Sequence, residues 1–205
     1  MTDEKSVAEI VSRETFEKFK IFAALLKKWN PKINLVAKST IDVLWERHFL
    51  DSIQFFDLIE KTGGKWVDLG SGGGFPGAVL AIMGSEIHEQ PEIILIESDQ
   101  RKAVFLRTVF RETGVSAKVL TTRIEKTPAL NADLMTARAL ADLKTLLGFT
   151  KTHLSPAGTA LFAKGENWKK ELAEAREIWQ FDSEVVKSRT DSNAVILKIQ
   201  GLSHV

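Results

Sequence analysis

A glycine-rich stretch, VDLGSGGGFPG at residues 67–77, has the residue types and spacing to bind a ligand. Gly70, Gly72 and Gly74 form a G-x-G-x-G pattern between a short apolar run and a second, longer one. Glycines permit a tight turn and allow backbone N–H groups to approach a ligand closely. We therefore expect a ligand-binding turn between a strand and a helix at this point.

Two carboxylates accompany this turn. Asp68 lies two residues before the first glycine, in the predicted strand KWVDL, and Glu97 ends the next predicted strand, EIILIE. The ends of parallel strands meet at the carboxyl edge of a sheet, where ligands bind. A carboxylate there can accept both hydroxyls of a ribose. An acid at position 68 also suits a cationic ligand such as S-adenosylmethionine (AdoMet).

Other interpretations of the turn remain open on these residues alone. Gly72, Gly74 and Gly77 also match the dinucleotide pattern G-x-G-x-x-G, with Glu97 about 20 residues further on. An NAD-dependent oxidoreductase would, however, place Asp68 unfavourably near an anionic pyrophosphate. A binding module without turnover and a small-molecule methyltransferase are further alternatives.

The elements around the turn predict an α/β fold with a Rossmann-like, mostly parallel sheet and an antiparallel pair of strands at its C-terminal end. Helices are predicted at 6–28, from 39 onward, and at 75–83, 100–112, 139–153 and 168–179; strands are predicted at 65–69, 92–97, 116–121, 133–137, 158–164, 181–187 and 193–199. The first helix should stop at Asn30-Pro31, because the residue before proline avoids the helical region. We expect a helical N-terminal extension at 1–62 and a sheet domain at 63–205.

Composition narrows the possible functions. The 205 residues are 44% hydrophobic and 27% charged, which is typical of a globular protein. The chain has no Cys, which excludes a disulfide, a Cys-ligated zinc and a Cys nucleophile. The N-terminal residues MTDEKSVAEI resemble neither a signal peptide nor a membrane span, so a cytoplasmic protein is expected. No His, Asp and Glu cluster has metal-ligand spacing, and nothing requires more than a monomer, so we expect no metal and a monomeric protein.

Charge is unevenly distributed along the chain. Residues 98–170 carry 13 Lys and Arg against 6 Asp and Glu, whereas residues 1–97 carry 11 against 15. A positive middle third is a possible footprint of a nucleic acid, although basic helix surfaces also occur without one. The candidate phosphate contacts lie on the 100–112 helix or at predicted strand ends: Arg101, Lys102, Arg107, Arg123, Arg138 and Lys164.

The segment ERHFLDS contains three residues with a structural interpretation. His48 is expected to hydrogen-bond a nearby carboxylate rather than to act in catalysis. Arg47 and Asp51 are four residues apart on a predicted helix and are expected to pair with each other.

Longer stretches closely resemble the RsmG family, also called glucose-inhibited division protein B. The resemblance is carried by VDLGSGGGFPG, LIESDQRKAVFL at 95–106, TARAL at 136–140 and LFAKG at 161–165, and by WNPKINLVAKST and WERHFLDSIQ within 29–54. It runs from about residue 20 to residue 200. It implies the fold of class I AdoMet-dependent methyltransferases. It also implies methylation of N7 of a guanine in the 530 loop of 16S ribosomal RNA, within the small ribosomal subunit.

The resemblance also implies roles for particular residues. Gly70 and Phe75 would contact AdoMet, and Ile124 and Glu125 would flank its adenine. Arg138 would lie at the cofactor site or beside the target base. Many family members have Asp at the position of Glu97, so the acid for the ribose is retained here on a longer side chain.

The chemistry of N7 methylation fits a chain with no obvious catalytic residue. N7 of guanine has a lone pair and no proton, so its methylation requires alignment rather than a general base. Methylation of cytosine C5 normally uses a Cys, and exocyclic amines normally use an Asn/Asp-Pro-Pro-aromatic motif; the chain has neither. Which group stabilises the cationic product stays open, and Phe75 is a candidate for base stacking, for cofactor packing or simply for anchoring the helix that follows.

Overall fold

The computed structural model describes residues 3–60 and 62–204. Seven strands form one sheet in the order β3-β2-β1-β4-β5-β7-β6. The strands are β1 (Lys65–Leu69), β2 (Glu92–Ile96), β3 (Lys118–Leu120), β4 (Ala132–Arg138), β5 (Leu154–Lys164), β6 (Trp179–Lys187) and β7 (Val195–His204). Strands β1 to β5 pair in parallel, and β7 pairs antiparallel with both β5 and β6. The predicted fold class, with its C-terminal antiparallel pair, is confirmed.

Seven α-helices occur in the described residues: α1 (Asp3–Ile10), α2 (Arg13–Ile33), α3 (Asp51–Phe56), α4 (Gly77–Gly84), α5 (Gln100–Thr113), α6 (Leu143–His153) and α7 (Trp168–Arg176). Lys38–Thr40 and Ile124–Lys126 are single 3₁₀ turns, and a π-helical segment, Trp45–Leu50, leads directly into α3. Across the described ranges, no helix is both long and apolar enough to cross a membrane.

The first predicted helix is wrong at both ends. Ser12 interrupts it, because the Ser12 Oγ accepts a hydrogen bond from the Thr15 backbone N–H at 2.9 Å and so caps a new helix. Helix α2 then continues past Pro31 to Ile33. The buried Asn30 explains this extension, since its Oδ1 accepts hydrogen bonds from two backbone N–H groups beyond the helix end, those of Leu35 and Val36.

Two other helix boundaries differ from the predictions, the first because of a capping residue. Helix α6 begins at Leu143 rather than at 139, because Asp142 caps it with a hydrogen bond from the Thr145 backbone N–H at 2.9 Å. The preceding Ala139 has a φ of 52°, which a helix does not contain. Helix α7 ends at Arg176, and β6 begins at Trp179, where the sequence predicts the end of the helix.

Two apolar layers cover the two faces of the sheet. One contains α6 and α7, and the other contains α4, α5 and the N-terminal helices. Phe22 of α2 stacks on Phe75 of the glycine turn, with ring centroids 5.0 Å apart, and Phe49 packs edge-on against Phe75 at 5.4 Å. The N-terminal helices therefore share a hydrophobic core with the sheet. The division at residue 62 stays a prediction.

Candidate functional site

A cleft of about 810 Å³ opens at the carboxyl edge of the parallel strands. This volume lies within the usual range for small-molecule sites. Its walls come from the glycine turn, the ends of β2, β4 and β5, the segment 35–54 of the N-terminal extension and the loop between β6 and β7. The lining includes most of the site residues predicted from the sequence: Gly70, Gly72, Phe75, Glu97, Lys102, Arg123, Ile124, Glu125, Arg138 and Lys164.

The glycine turn is confined on two sides by other parts of the chain. Gly70 has a φ of 61°, and a Cβ added there would lie 2.5 Å from Leu140 Cδ1. A Cβ on Gly73 would lie 2.8 Å from the backbone oxygen of Leu35. Side chains at these positions would collide with Leu140 and with the loop after α2, so the packing around the turn requires glycine at both.

Glu97 lies between the glycine turn and helix α5. Its Oε2 accepts a hydrogen bond from the Gly72 backbone N–H at 2.8 Å, and its Oε1 accepts one from the Asp99 backbone N–H at 2.7 Å. Each carboxylate oxygen has a second lone pair. Glu97 can thus hold the turn in shape and still accept ribose hydroxyls, a role that stays a prediction.

Asp68 does not line the cleft but is buried beneath the turn, with 3% of its surface exposed. Its Oδ1 accepts a hydrogen bond from Thr136 Oγ1 at 2.6 Å, and its Oδ2 has no hydrogen-bond partner among the described residues. Burial raises the pKa of Asp68 from 3.8 to about 6. A nearby cation would favour the ionised carboxylate.

These residues fit AdoMet. Gly72 leaves room for a ligand next to backbone, since a Cβ added there would meet no atom nearer than 3.8 Å. Glu97 supplies a carboxylate at the end of β2, and the acid of Asp68 lies beneath the turn, outside the cleft. Ile124 and Glu125 line the same end of the cleft, from the turn that follows β3. We call this part of the cleft the donor end.

Arg138 lies in the part of the cleft next to the N-terminal extension. We call this part the acceptor end, after the role that we propose for it below. Its Nη1 donates to Asp51 Oδ2 at 2.8 Å and to the backbone oxygen of Arg47 at 3.1 Å, and its Nη2 donates to His48 Nδ1 at 2.8 Å. The guanidinium also lies over the Phe75 ring, 5.3 Å from its centroid. A planar group with several fixed donors is suited to such a set of partners. Arg138 therefore ties β4 to the N-terminal extension.

The protonation of His48 follows from these contacts. Arginine only donates, so His48 Nδ1 accepts and the hydrogen is on Nε2, which donates to Thr40 Oγ1 at 2.7 Å. Thr40 Oγ1 in turn donates to the backbone oxygen of Ala37. Burial and the Arg138 charge lower the pKa of His48 to about 4, so the imidazole is neutral at pH 7. The expected carboxylate partner is wrong: the partners are an arginine and a threonine.

The loop between β6 and β7 completes the acceptor end. Thr190 Oγ1 donates to Asp51 Oδ1 at 2.7 Å, and Arg47 pairs with Asp191 at 3.0 Å. The expected pairing of Arg47 with Asp51 is therefore wrong, because each residue has a partner from a distant part of the chain. The sequence offers no local signal for the contribution of this loop.

Phe75 is packed rather than free. Phe22 stacks on its ring, and His48 and Arg138 lie close to it as well. It is 5% exposed. This geometry favours support of Arg138 and anchoring of α4 over stacking on a base, while its contact with AdoMet stays a prediction.

The six predicted RNA contacts differ in their surroundings. Arg101 pairs with Asp99, Arg107 donates to the backbone oxygen of Val119, and neither lines the cleft. Lys164 is buried and pairs with Glu171 at 2.5 Å. The cleft lining includes Lys102 and Arg123, which have no ion pair among the described residues.

Two other predictions concern the cofactor and a metal. Gly74, predicted to bind the cofactor, lies outside the lining of the cleft. In the part of the chain that the structure describes, no three His, Asp or Glu side chains are grouped to hold a metal ion.

Asp68 and His48 have opposite effects on the pH dependence of stability. The raised pKa of Asp68 means that the folded state holds more protons than the unfolded state between about pH 4 and 6, so this group's contribution falls as the pH rises through that range. The lowered pKa of His48 has the opposite sign: its contribution is present above pH 6.5 and is lost as the pH falls toward 4. In the wild-type protein the two effects oppose each other.

Single substitutions should separate these effects. Relative to wild type, we expect Asp68→Asn to lose more stability between pH 7 and pH 4.5, and His48→Gln to lose less, each by about 1.4 kcal/mol per pKa unit involved. Urea unfolding of the three proteins at both pH values measures the differences. If the free energy of unfolding had the same pH dependence in all three proteins, the pKa shifts of Asp68 and His48 would be contradicted.

The sheet order and the cleft at its carboxyl edge define the fold of class I AdoMet-dependent methyltransferases. Solved structures agree. A TehB-like SAM-dependent methyltransferase from Corynebacterium glutamicum has a TM-score of 0.59 at 11% identity, covering 89% of this chain and 98% of that one. The TYW2 protein of M. jannaschii, solved in complex with AdoMet, has a TM-score of 0.56 at 14% identity, covering 76% and 77%.

Sequence comparison identifies the family. The family model GidB, described as rRNA small subunit methyltransferase G, matches residues 15–199. The "Ribosomal RNA small subunit methyltransferase G" of Ruegeria sp. (strain TM1040) is 52% identical over 206 residues, the full length of both chains. The chain therefore belongs to the GidB family, which confirms the resemblance found in its motifs.

Proposed function

We propose that this protein is an AdoMet-dependent methyltransferase that modifies N7 of a guanine in the 530 loop of 16S rRNA, in the small ribosomal subunit. The observation that carries the proposal is the single continuous cleft. Its donor end has the glycine turn and Glu97, and its acceptor end has Arg138, His48 and Asp51. Membership of the GidB family supports rRNA as the substrate class.

The residues of the acceptor end suit a reaction that needs no base. N7 carries a lone pair and no proton, so nothing has to accept a proton before the methyl group arrives. His48 Nδ1 is already occupied by Arg138, and Nε2 holds the ring hydrogen, so the imidazole is an orienting group. The chain's task is to hold the base and the donor in line and to exclude water.

Charge balance is compatible with this cleft. Bound AdoMet supplies a methyl group on a sulfonium, and transfer breaks the C–S bond while forming a C–N7 bond. The positive charge therefore moves from sulfur to the guanine ring and is not newly created. Arg138 is paired with Asp51 and Arg47 with Asp191, so the acceptor end presents balanced charges to the base.

Labelled methyl transfer tests the proposal. The purified protein is incubated with tritiated AdoMet and with 30S subunits from cells that lack this activity, and the label is mapped by chemical cleavage at 7-methylguanine. We expect one labelled guanine in the 530 loop. No transfer, or transfer to another position, would overturn the proposal. Calorimetry with NAD in place of AdoMet tests the oxidoreductase alternative. A small-molecule methyltransferase would methylate its substrate at a rate that does not depend on salt concentration, whereas methylation of RNA should slow as salt rises.

A further inference from the structure

Four lysines form an unpaired basic surface on the N-terminal extension. Lys27, Lys28 and Lys32 lie on the last turns of α2, and Lys38 follows in the loop beyond it; we call these four residues the lysine rim. All four are exposed, and none of their side chains forms an ion pair or a hydrogen bond with any residue in the described ranges. No Asp or Glu occurs between positions 18 and 41, so the segment that carries these lysines contains no acid.

The lysine rim continues along the chain into the wall of the cleft. Asn30 Oδ1 accepts hydrogen bonds from Leu35 N–H at 2.7 Å and Val36 N–H at 2.9 Å, which fixes the loop after α2 against the glycine turn. Leu35, Val36 and Thr40 line the cleft, and Thr40 bonds to His48. Lys38 is thus two residues from Thr40, a side chain of the acceptor end, and directly follows Ala37, which also lines the cleft.

Three of the other basic candidates are less available for phosphates, and the two without an ion pair among the described residues, Lys102 and Arg123, lie at the donor end. Arg101 is paired with Asp99, Arg107 is held by the Val119 carbonyl group, and Lys164 is buried against Glu171. Helix α5, which carries two of them, follows β2 and Glu97 and so borders the donor end. A phosphate there would approach the cofactor rather than the acceptor.

We infer that the lysine rim is an RNA-binding surface that contacts phosphates flanking the target guanine, so that the substrate strand lies across the N-terminal extension rather than across α5. The inference rests on the proposed function and adds to it the surface and the direction of the RNA. Exposed, unpaired lysines next to an acceptor site bind phosphates as point charges, and each phosphate neutralised in this way releases condensed counterions.

The salt dependence of methylation tests this surface. In the test variant, Lys27, Lys28, Lys32 and Lys38 are all replaced by Gln. The matched control replaces four exposed lysines of α6 and α7, on the opposite face of the sheet: Lys144, Lys151, Lys169 and Lys170. Both variants lose four positive charges. kcat/KM with unmethylated 30S subunits is measured from 50 to 300 mM KCl, together with AdoMet affinity and thermal unfolding.

For the test variant we expect the slope of log kcat/KM against log salt to become shallower by roughly 0.7 to 0.9 for each RNA phosphate that a lysine no longer neutralises. The control should keep the wild-type slope, AdoMet affinity should not change, and replacement of the same four lysines by Arg should restore the slope. A wild-type slope in the test variant, or an equal loss in both variants, would overturn the inference. If the wild-type protein transfers no methyl group, the proposed function itself fails, which is a separate result.

Discussion

Replacing Arg138 with alanine is expected to lower kcat/KM for methylation of 30S subunits by about 100-fold or more. Arg138 is the one described side chain that donates to both Asp51 and His48, and its loss leaves Asp51 Oδ2 and His48 Nδ1 without their donor. The acceptor end would then lose its fixed shape, and a misplacement of about 1 Å can cost such a factor in rate. Arg138→Lys should recover little of this activity, because an ammonium group cannot reproduce the planar arrangement of donors with which a guanidinium contacts two partners at once.

Arg176 provides a matched control for the loss of an arginine over an aromatic ring. Its guanidinium lies 5.2 Å from the centroid of Phe181, much as Arg138 lies over Phe75, but on the face of the sheet that α6 and α7 cover. We expect Arg176→Ala to retain wild-type kcat/KM. AdoMet affinity, measured by calorimetry, separates the two ends of the cleft: a fall in affinity as large as the fall in rate would place Arg138 at the donor end instead.

The parts of the site that follow strands could be predicted from the sequence, because parallel strands end at one edge of the sheet. Gly70, Glu97 and Arg138 belong to three different strand–loop units, yet alternation of strands and helices is enough to bring them together. The order of strands and loops along the chain is therefore enough to predict that these three residues lie at one edge of the sheet.

The acceptor end could not be predicted in the same way, because it depends on contacts between distant segments. Asp51 meets Arg138 across 87 positions and Thr190 across 139. A helical i,i+4 rule instead favours a pair between Arg47 and Asp51, and the structure contradicts it. The lysine rim was not predicted for a different reason. The net charge of residues 1–97 as a whole is negative, and this total conceals a local stretch that has lysines and no acids.

Burial accounts for the difference between the expected and the observed position of Asp68. The position of Asp68 near the end of a strand predicts a carboxylate that faces the ligand. In the structure, however, β1 lies between β2 and β4, and Asp68 is aligned with Leu95 and Thr136 beneath the glycine turn. The glycine turn therefore separates this acid from the cleft, and its role in cofactor binding stays a prediction. Sequence spacing predicts the element that carries a residue more reliably than the side of the turn on which its side chain lies.

The second large effect concerns the donor end. Gly70→Ala is expected to weaken AdoMet binding at least about tenfold, a difference of about 1.4 kcal/mol. The added methyl group would lie 2.5 Å from Leu140 Cδ1, and the displaced Leu140 side chain, which also lines the cleft, would have to move toward the ligand or away from the turn. The left-handed backbone at this position adds a folding cost of about 1–2 kcal/mol.

Gly114→Ala separates the backbone cost from the effect on the site. Gly114 has a φ of 67°, close to the 61° of Gly70, but it ends α5 and has nothing within 4 Å of an added Cβ. Both variants should lose similar stability in urea unfolding, since both place alanine in the left-handed region. Only Gly70→Ala should lose AdoMet affinity in calorimetry. Equal affinities in the two variants would mean that AdoMet does not lie against the glycine turn, because the position of the added methyl group is what distinguishes the two substitutions.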